Sequence, residues 1–189
     1  MSAMDILPEI ERRRAFRSIG VEPVSDEAVA RMLSAATMAP SCYNNQPWRF
    51  VAVADAEQLR KIGELLPDGN AWARSAPLIL LAFTKPSLDC RQDEGRDYAL
   101  FDLGLATMSL ILQAEHEGLV AHPIAGFTPK KVKAVCGLED DHVLIALIVC
   151  GKRGDNPNLA EWQKEREKGP RLRKELSAVT FRDRYSKEG

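Results

Sequence analysis

The chain has 189 residues, 45% of them hydrophobic, enough to build one sizeable core and too few to expect two. Its 26 basic residues almost balance 27 acidic ones, and a formal net charge of −1 argues against a protein made chiefly to coat nucleic acid. No run approaches the ~20 apolar residues that cross a bilayer, and Met1 to Glu11, with acids at Asp5, Glu9 and Glu11, does not read as a secretory leader, so a cytoplasmic protein is expected.

In chain order, Ser25 followed by Asp26 and Glu27 reads as a helix start, with a capping hydroxyl and acids in the first turn. Val29, Met32, Leu33 and Ala36 then recur at helical spacing, and Pro40 ends the element. Phe50 to Ala54 alternates and β-branches like a strand, and Asp55 with Gln58 resembles a capping box opening a helix through Leu59, Ile62 and Leu66. Pro77 to Thr84 is a continuous apolar run of strand length, as in a strand covered on both faces.

A long helix is predicted from about Asp97 to Glu117. Tyr98, Phe101, Leu105, Met108 and Leu112 form one stripe, while Leu103, Ala106, Leu110 and Ile111 fill others. A helix apolar nearly all round must be buried, at the centre of a domain or between subunits. Gly118 suits the position after its end. Leu119 to Phe127 reads as a strand running into a glycine-containing turn. Thr128 and Pro129 look like N-cap and first residue of a short helix that stops at Gly137, and Val143 to Val149 is another buried strand.

From Gly151 the chain is polar, with Pro157, Gly169, Pro170 and mixed charges. Such a segment cannot make its own core, so it is either disordered or wraps around something else, such as a second subunit. Helices interleaved with about four strands suggest a mixed α+β sheet domain. A single domain over residues 1–189 is expected, with 151–189 as a C-terminal extension.

Four segments could carry chemistry. Arg12, Arg13, Arg14 and Arg17 lie within six positions, a strong local positive field of the type that binds phosphate bidentately, or a solvated helix face paired with Glu9 and Glu11. Pro40 to Trp48 (PSCYNNQPW) offers amides that can donate and accept at once, as reading the edge of a heteroaromatic ring demands, or it is a capped turn anchored by Trp48. Pro123 to Phe127 (PIAGF) ends in a glycine that would let backbone N–H groups approach a ligand, or is a plain turn. Arg171, Leu172, Arg173 and Lys174 form a second basic cluster, otherwise explained by solvation of a flexible end.

Cys42, Cys90, Cys136 and Cys150 are widely spaced, without a CxxC pair or histidines at ligand spacing, and are expected to be reduced and mostly buried. His116, His122 and His142 show no partner pattern and receive no role. The glycine-rich dinucleotide fingerprint is missing, which makes any nicotinamide nucleotide a passing substrate rather than a Rossmann-bound cofactor.

In this order the four segments resemble the nitroreductase family of FMN-dependent oxidoreductases. Arg13-Arg14-Ala15-Phe16-Arg17 resembles the family's opening RRSxR pattern, and Pro40 to Trp48 its PSxxNxQPW loop. Asp102 to Ala106 with Gly118-Leu119 resembles its central helix, Pro123 to Phe127 its PIxGF-like turn, and Arg171 to Lys174 its basic C-terminal motif. The resemblance implies an α+β nitroreductase-like fold, with a mixed, mainly antiparallel central sheet flanked by helices. It also implies an intertwined homodimer in which each of two tightly bound FMN molecules is held by both chains.

Carried over residue by residue, it places Arg13, Arg14 and Arg17 along the FMN, with Arg13 on the phosphate and Arg17 near the pyrimidine edge. Arg171 and Arg173 would close on the phosphate. Pro40, Ser41 and Asn44 would come from the partner chain to the isoalloxazine, and the N–H groups of Ala125 and Gly126 would face N5. Ala15 stands where the family has serine, removing a hydroxyl, and Ala125 where it has an acidic residue.

The implied reaction is ping-pong. A hydride passes from diffusible NAD(P)H through flavin N5 to a small electron-poor acceptor such as a nitroaromatic or quinone, with no side chain as obligatory acid or base. No catalytic residue, metal, nucleic acid or membrane is expected. The alternatives are a flavin enzyme of the same fold with another reaction, such as reductive dehalogenation, and a non-catalytic flavin- or small-ligand-binding dimer acting as sensor or store. A nucleic-acid binder using both arginine clusters is the weakest of these.

Overall fold

In the computed structural model, which describes residues 6–186, the four apolar runs pair into one sheet. Its strands are β1 (Arg49–Val53), β2 (Leu78–Thr84), β3 (Leu119–Ile124) and β4 (Val143–Lys152), in the order β1-β2-β4-β3, and all three pairings are antiparallel. The mainly antiparallel sheet is therefore present. Every residue of β2 is buried, as a strand without polar alternation requires. The strand predicted to run into a glycine-containing turn does so after Ile124, where its pairing with Leu147 ends.

Because strand side chains alternate, the sheet builds two cores. Ile79, Leu81 and Phe83 face one, covered by α3 (Ala56–Glu64), the 3-10 segment Asp68–Ser75 with Trp72, and α5 (Pro129–Cys136). Leu78, Leu80 and Ala82 face the other, covered by α2 (Asp26–Thr37) and α4 (Tyr98–His116).

The start signals act locally. Ser25 Oγ accepts the Ala28 N–H at 3.2 Å, and Asp55 Oδ1 the Gln58 N–H at 2.9 Å. The second half of the Asp55–Gln58 box is missing, since Gln58 Oε1 is buried without a partner. Pro129 opens α5, but Thr128 makes no side-chain cap, while Gly137 ends the helix in the left-handed conformation (φ 69°).

Two expectations are narrowed by the structure and a third is corrected. First, α4 is not buried all round within this chain. Ala99, Leu103, Ala106, Leu110 and Ala114 pack inward, whereas Phe101 is 60% exposed and Met108 and Leu100 are also open. Tyr98, Leu105 and Leu112 are only half-buried, so the stripe read from the sequence faces outward.

Second, the extension beyond β4 is not without order. Its helix α6 (Glu161–Lys168) docks on this chain through buried Gln163 and Glu167, and the segment beyond it is largely exposed. Third, the cysteines are not all reduced. Cys42 and Cys90 form a disulfide with their Cα atoms 6.2 Å apart, because the loop after α2 and the loop after β2 meet at the start of α4; Cys136 and Cys150 are free. The leader reading falls partly outside the described residues, which begin at Ile6.

Candidate functional site

The short helix α1 (Pro8–Arg12) leads into an extended segment pinned by Ile19, which is fully buried and bridges to Arg153 beyond β4. Phe16 is held in place from two directions. The Arg153 guanidinium lies 3.9 Å from its ring centroid, and His122 Nδ1 stands 2.9 Å from its carbonyl oxygen. A carbonyl only accepts, so Nδ1 carries the hydrogen. Burial, the largest influence on His122, pushes its pKa down, which keeps the ring neutral.

Helix α6 brings the second arginine cluster to the first. Glu167 accepts hydrogen bonds from the Arg17 N–H, from the Ser18 N–H at 3.1 Å and from Ser18 Oγ at 2.6 Å. Arg14 donates to the Gly169 carbonyl at 2.8 Å. Arg171 donates to the carbonyls of Ile10 (3.0 Å), Arg13 (3.4 Å) and Glu11, tying the tail to the N-terminal segment.

Together Arg13, Arg14, Ala15, Arg17, Arg171 and Arg173 line a cavity of about 510 Å³. Two larger cavities, of about 700 and 780 Å³, hold Arg60, Arg74 and Arg31, and each of these is paired with a carboxylate. The arginine cleft differs. Among the described residues, Arg13, Arg171 and Arg173 have no carboxylate within ion-pair distance, Glu165 is taken up by Lys168, and Glu167 faces the backbone of Arg17 and Ser18. Burial, then repulsion from Arg171 and Arg173, lowers the pKa of Arg13 against a smaller pull from Glu115; burial lowers that of Arg17 against the pull of Glu167, with Arg166 adding to the fall. Cations crowded in this way, with no carboxylate in direct contact with Arg13, Arg171 or Arg173, are an arrangement that can accept an anion.

Pro40, Ser41 and Asn44 lie elsewhere in the chain. Ser41 Oγ accepts the Gln46 N–H at 2.9 Å, and the Cys42 N–H donates to Asp102 Oδ2 at 2.7 Å, fixing the loop to the first turns of α4. Pro40 and Ser41 line a separate cavity of about 300 Å³ with Cys42, Tyr98, Phe101 and Leu105. The arginine segment instead meets the far end of α4, through Arg12 to Glu115 (3.5 Å) and Glu9 to His116 (3.5 Å). From Asp102 to Glu115 the helix rises ~20 Å at ~1.5 Å per residue. One chain therefore does not bring the two groups together.

Ala125 and Gly126 are exposed at the end of β3. Asn70 Nδ2 donates to the Gly126 carbonyl at 2.8 Å, and a Cβ on Gly126 would stand 2.7 Å from that same nitrogen. A side chain at this position would require the Asn70 amide to shift.

The sequence profile described as "Nitroreductase family" matches residues 10–71 and 67–152. The chain belongs to the nitroreductase family. A crystal structure described as an oxidoreductase containing FMN superposes with a TM-score of 0.85, at 31% identity over 98% of this chain and 96% of that one. An NADH dehydrogenase of Thermus thermophilus is 28% identical, covering 74% of this chain and 82% of its own length. A Methanothermobacter thermautotrophicus protein, provisionally named an NADH dehydrogenase/NAD(P)H nitroreductase, is 31% identical over 121 residues. That match takes in 64% of this nitroreductase-family chain and spans about three fifths (61%) of the relative.

Sequence reasoning missed Glu167, Ser18, Asn70, Asp102 and Arg153 as parts of these sites. Glu167 sits in a helix where nearly every residue is polar, so no pattern singles it out. Asp102 did carry a signal, being the one charged residue between Tyr98 and Ala114.

Proposed function

We propose that this chain is an FMN-dependent NAD(P)H oxidoreductase that works as a homodimer. The observation that carries the reading is the cleft where Arg13, Arg171 and Arg173 converge without a carboxylate partner. It fits a dianionic phosphate, which bears about −1.5 to −2 charges near neutral pH by analogy with phosphorylated side chains. The FMN named for the structure at TM-score 0.85 supports the same assignment.

Arg13, Arg171 and Arg173 would hold the phosphate, with Arg14, Ala15 and Arg17 along the ring system. Ala15 offers its backbone but no hydroxyl. Pro40, Ser41 and Asn44 of a second copy would complete the site, since their own chain holds them ~20 Å away along α4. The open stripe of α4 supports that pairing, because an exposed apolar helix face beside the site calls for a cover. The segment beyond α6, with Leu172, Leu176, Val179 and Phe181 exposed, would wrap the second copy.

Bound there, FMN would supply two-electron hydride chemistry between NAD(P)H and a small electron-poor acceptor such as a nitroaromatic or quinone. The chain's own work is binding and electrostatics. Arg17 would place positive charge beside the ring, and Ala125 and Gly126 would present backbone where Asn70 fixes the turn. The exchange is ping-pong, with donor and acceptor using the same face in turn.

The test is an absorbance spectrum of the purified protein, before and after anaerobic NADPH and then NADH. Flavin bands that bleach with either donor support the reading, and the faster donor is the preferred one. A colourless protein that takes up no FMN overturns it.

A further inference from the structure

The Cys42–Cys90 bridge has no part in the function proposed above, yet it closes on the loop that function uses. The loop is under tension. Tyr43 (φ 47°), Asn44 (φ 57°) and Gln46 (φ 50°) all adopt the left-handed conformation that costs any residue bearing a Cβ. Tyr43 is 88% exposed, so no packing of its side chain offsets this.

The bridge also crowds two carboxylates. Asp102 holds the Cys42 N–H, while Asp89, which precedes Cys90, is brought up beside it with its Oδ2 buried and without a partner. Burial raises the pKa of Asp102, and the neighbouring Asp89 adds to the rise. Removing the bridge would let Asp89 move away and the backbone relax.

The two sulfurs are not equivalent. Cys42 lines the open cavity of about 300 Å³ beside Pro40 and Ser41, and Cys90 does not. Asn45 Nδ2 lies 3.4 Å from Cys90 Sγ, where its N–H can stabilise a developing thiolate.

We propose that Cys42–Cys90 is a reversible thiol–disulfide site, opened through that cavity by a small dithiol, which latches the Ser41–Gln46 loop when oxidised and frees it when reduced. A thiolate of the dithiol attacks Cys42 Sγ, forming a mixed disulfide and breaking the bond to Cys90. Cys90 departs as the thiolate, with Asn45 beside it, and takes a proton from water. The second thiolate of the dithiol then closes on the first sulfur and releases Cys42, which is protonated in turn. The bridge gains two electrons and two protons, and the dithiol ends as its own disulfide. The consequence for the cofactor rests on the preceding reading, in which Pro40, Ser41 and Asn44 of one copy meet the flavin held by the other. Opening the latch weakens flavin binding, and by linkage bound flavin protects the bridge.

The experiment takes the purified protein with and without dithiothreitol and reads three quantities. These are thiols titrated in denaturant, chymotryptic cleavage after Tyr43, and the Kd for FMN. Two thiols (Cys136 and Cys150) are expected in the oxidised protein and four after reduction. Cleavage should quicken about tenfold on reduction, with a similar loss of FMN affinity. The Cys90→Ser variant should match the reduced form with or without dithiothreitol. Four thiols in protein equilibrated with an oxidised dithiol, or equal cleavage of both forms, would overturn the proposal. Cleavage that changes while neither form takes up FMN would leave the latch standing and remove the flavin reading instead.

Discussion

Replacing Phe101 by glutamate should dissociate the proposed homodimer while leaving the protomer folded. Phe101 is 60% exposed in the single chain, and its main ring contact is an edge-on one with Tyr98 at 6.0 Å between centroids. A phenylalanine side chain buries roughly 150–250 Å² when fully covered, so covering the open part removes about 120 Å² from water. At ~25 cal/mol per Å² that is ~3 kcal/mol per chain, or ~6 kcal/mol across a two-fold interface where the same residue counts twice. Glutamate forfeits this and adds the cost of desolvating a charge. The dimer dissociation constant should rise by at least ~10⁴. Sedimentation velocity at micromolar concentration checks it, with circular dichroism to confirm the fold. The parent should run as a dimer and F101E as a monomer that has lost its FMN, since each site then lacks Pro40, Ser41 and Asn44 of the other copy. An F101E protein that stays dimeric and yellow would refute the assignment of this face as the interface.

The remaining predictions concern charge and backbone. Arg13→Ala removes the guanidinium most crowded by Arg171 and Arg173, and should weaken FMN about 10–100-fold and flatten the salt dependence of binding, read by flavin fluorescence titration. Glu167→Ala leaves the N–H groups of Arg17 and Ser18 and the Ser18 hydroxyl without their acceptor, and at ~1.5 kcal/mol each should cost ~4.5 kcal/mol in urea denaturation. Glu117 accepts from Arg31 at 2.7 Å on both oxygens and from Gln113 at 2.8 Å, which holds its pKa down to about 2. A depressed carboxylate stabilises the fold above its ordinary value of 4.5 and loses that contribution as pH falls towards 2. Glu117→Gln should therefore make the acid limb shallower between pH 4.5 and 2 in thermal melts, and a limb of unchanged slope would count against the pair.

Much of the fold could be read from local chemistry. The apolar run at 77–84 read as a strand covered on both faces, and it is the fully buried β2. Ser25, Asp55 and Gly118 marked helix ends because capping depends on a few neighbouring atoms. Thr128 failed as a cap, and α6 was not foreseen, because nothing in a charged segment shows what it will dock against.

The candidate site divides the same way. By itself the sequence determined which residues carry charge and amides, Arg13 to Arg17, Pro40 to Asn44 and Arg171 to Arg173, since residue types in an ordered motif need no third dimension. Only the tertiary structure decided how they are grouped. It set both arginine clusters around one cleft through Glu167 and the carbonyls of Ile10 and Arg13, and held the Pro40 loop at the opposite end of α4. It also joined Cys42 to Cys90 across 48 residues, where spacing alone suggested separate thiols. Contacts between residues far apart in sequence depend on how whole elements dock, and docking is driven by non-directional apolar burial that leaves no local mark on the polar residues it brings together.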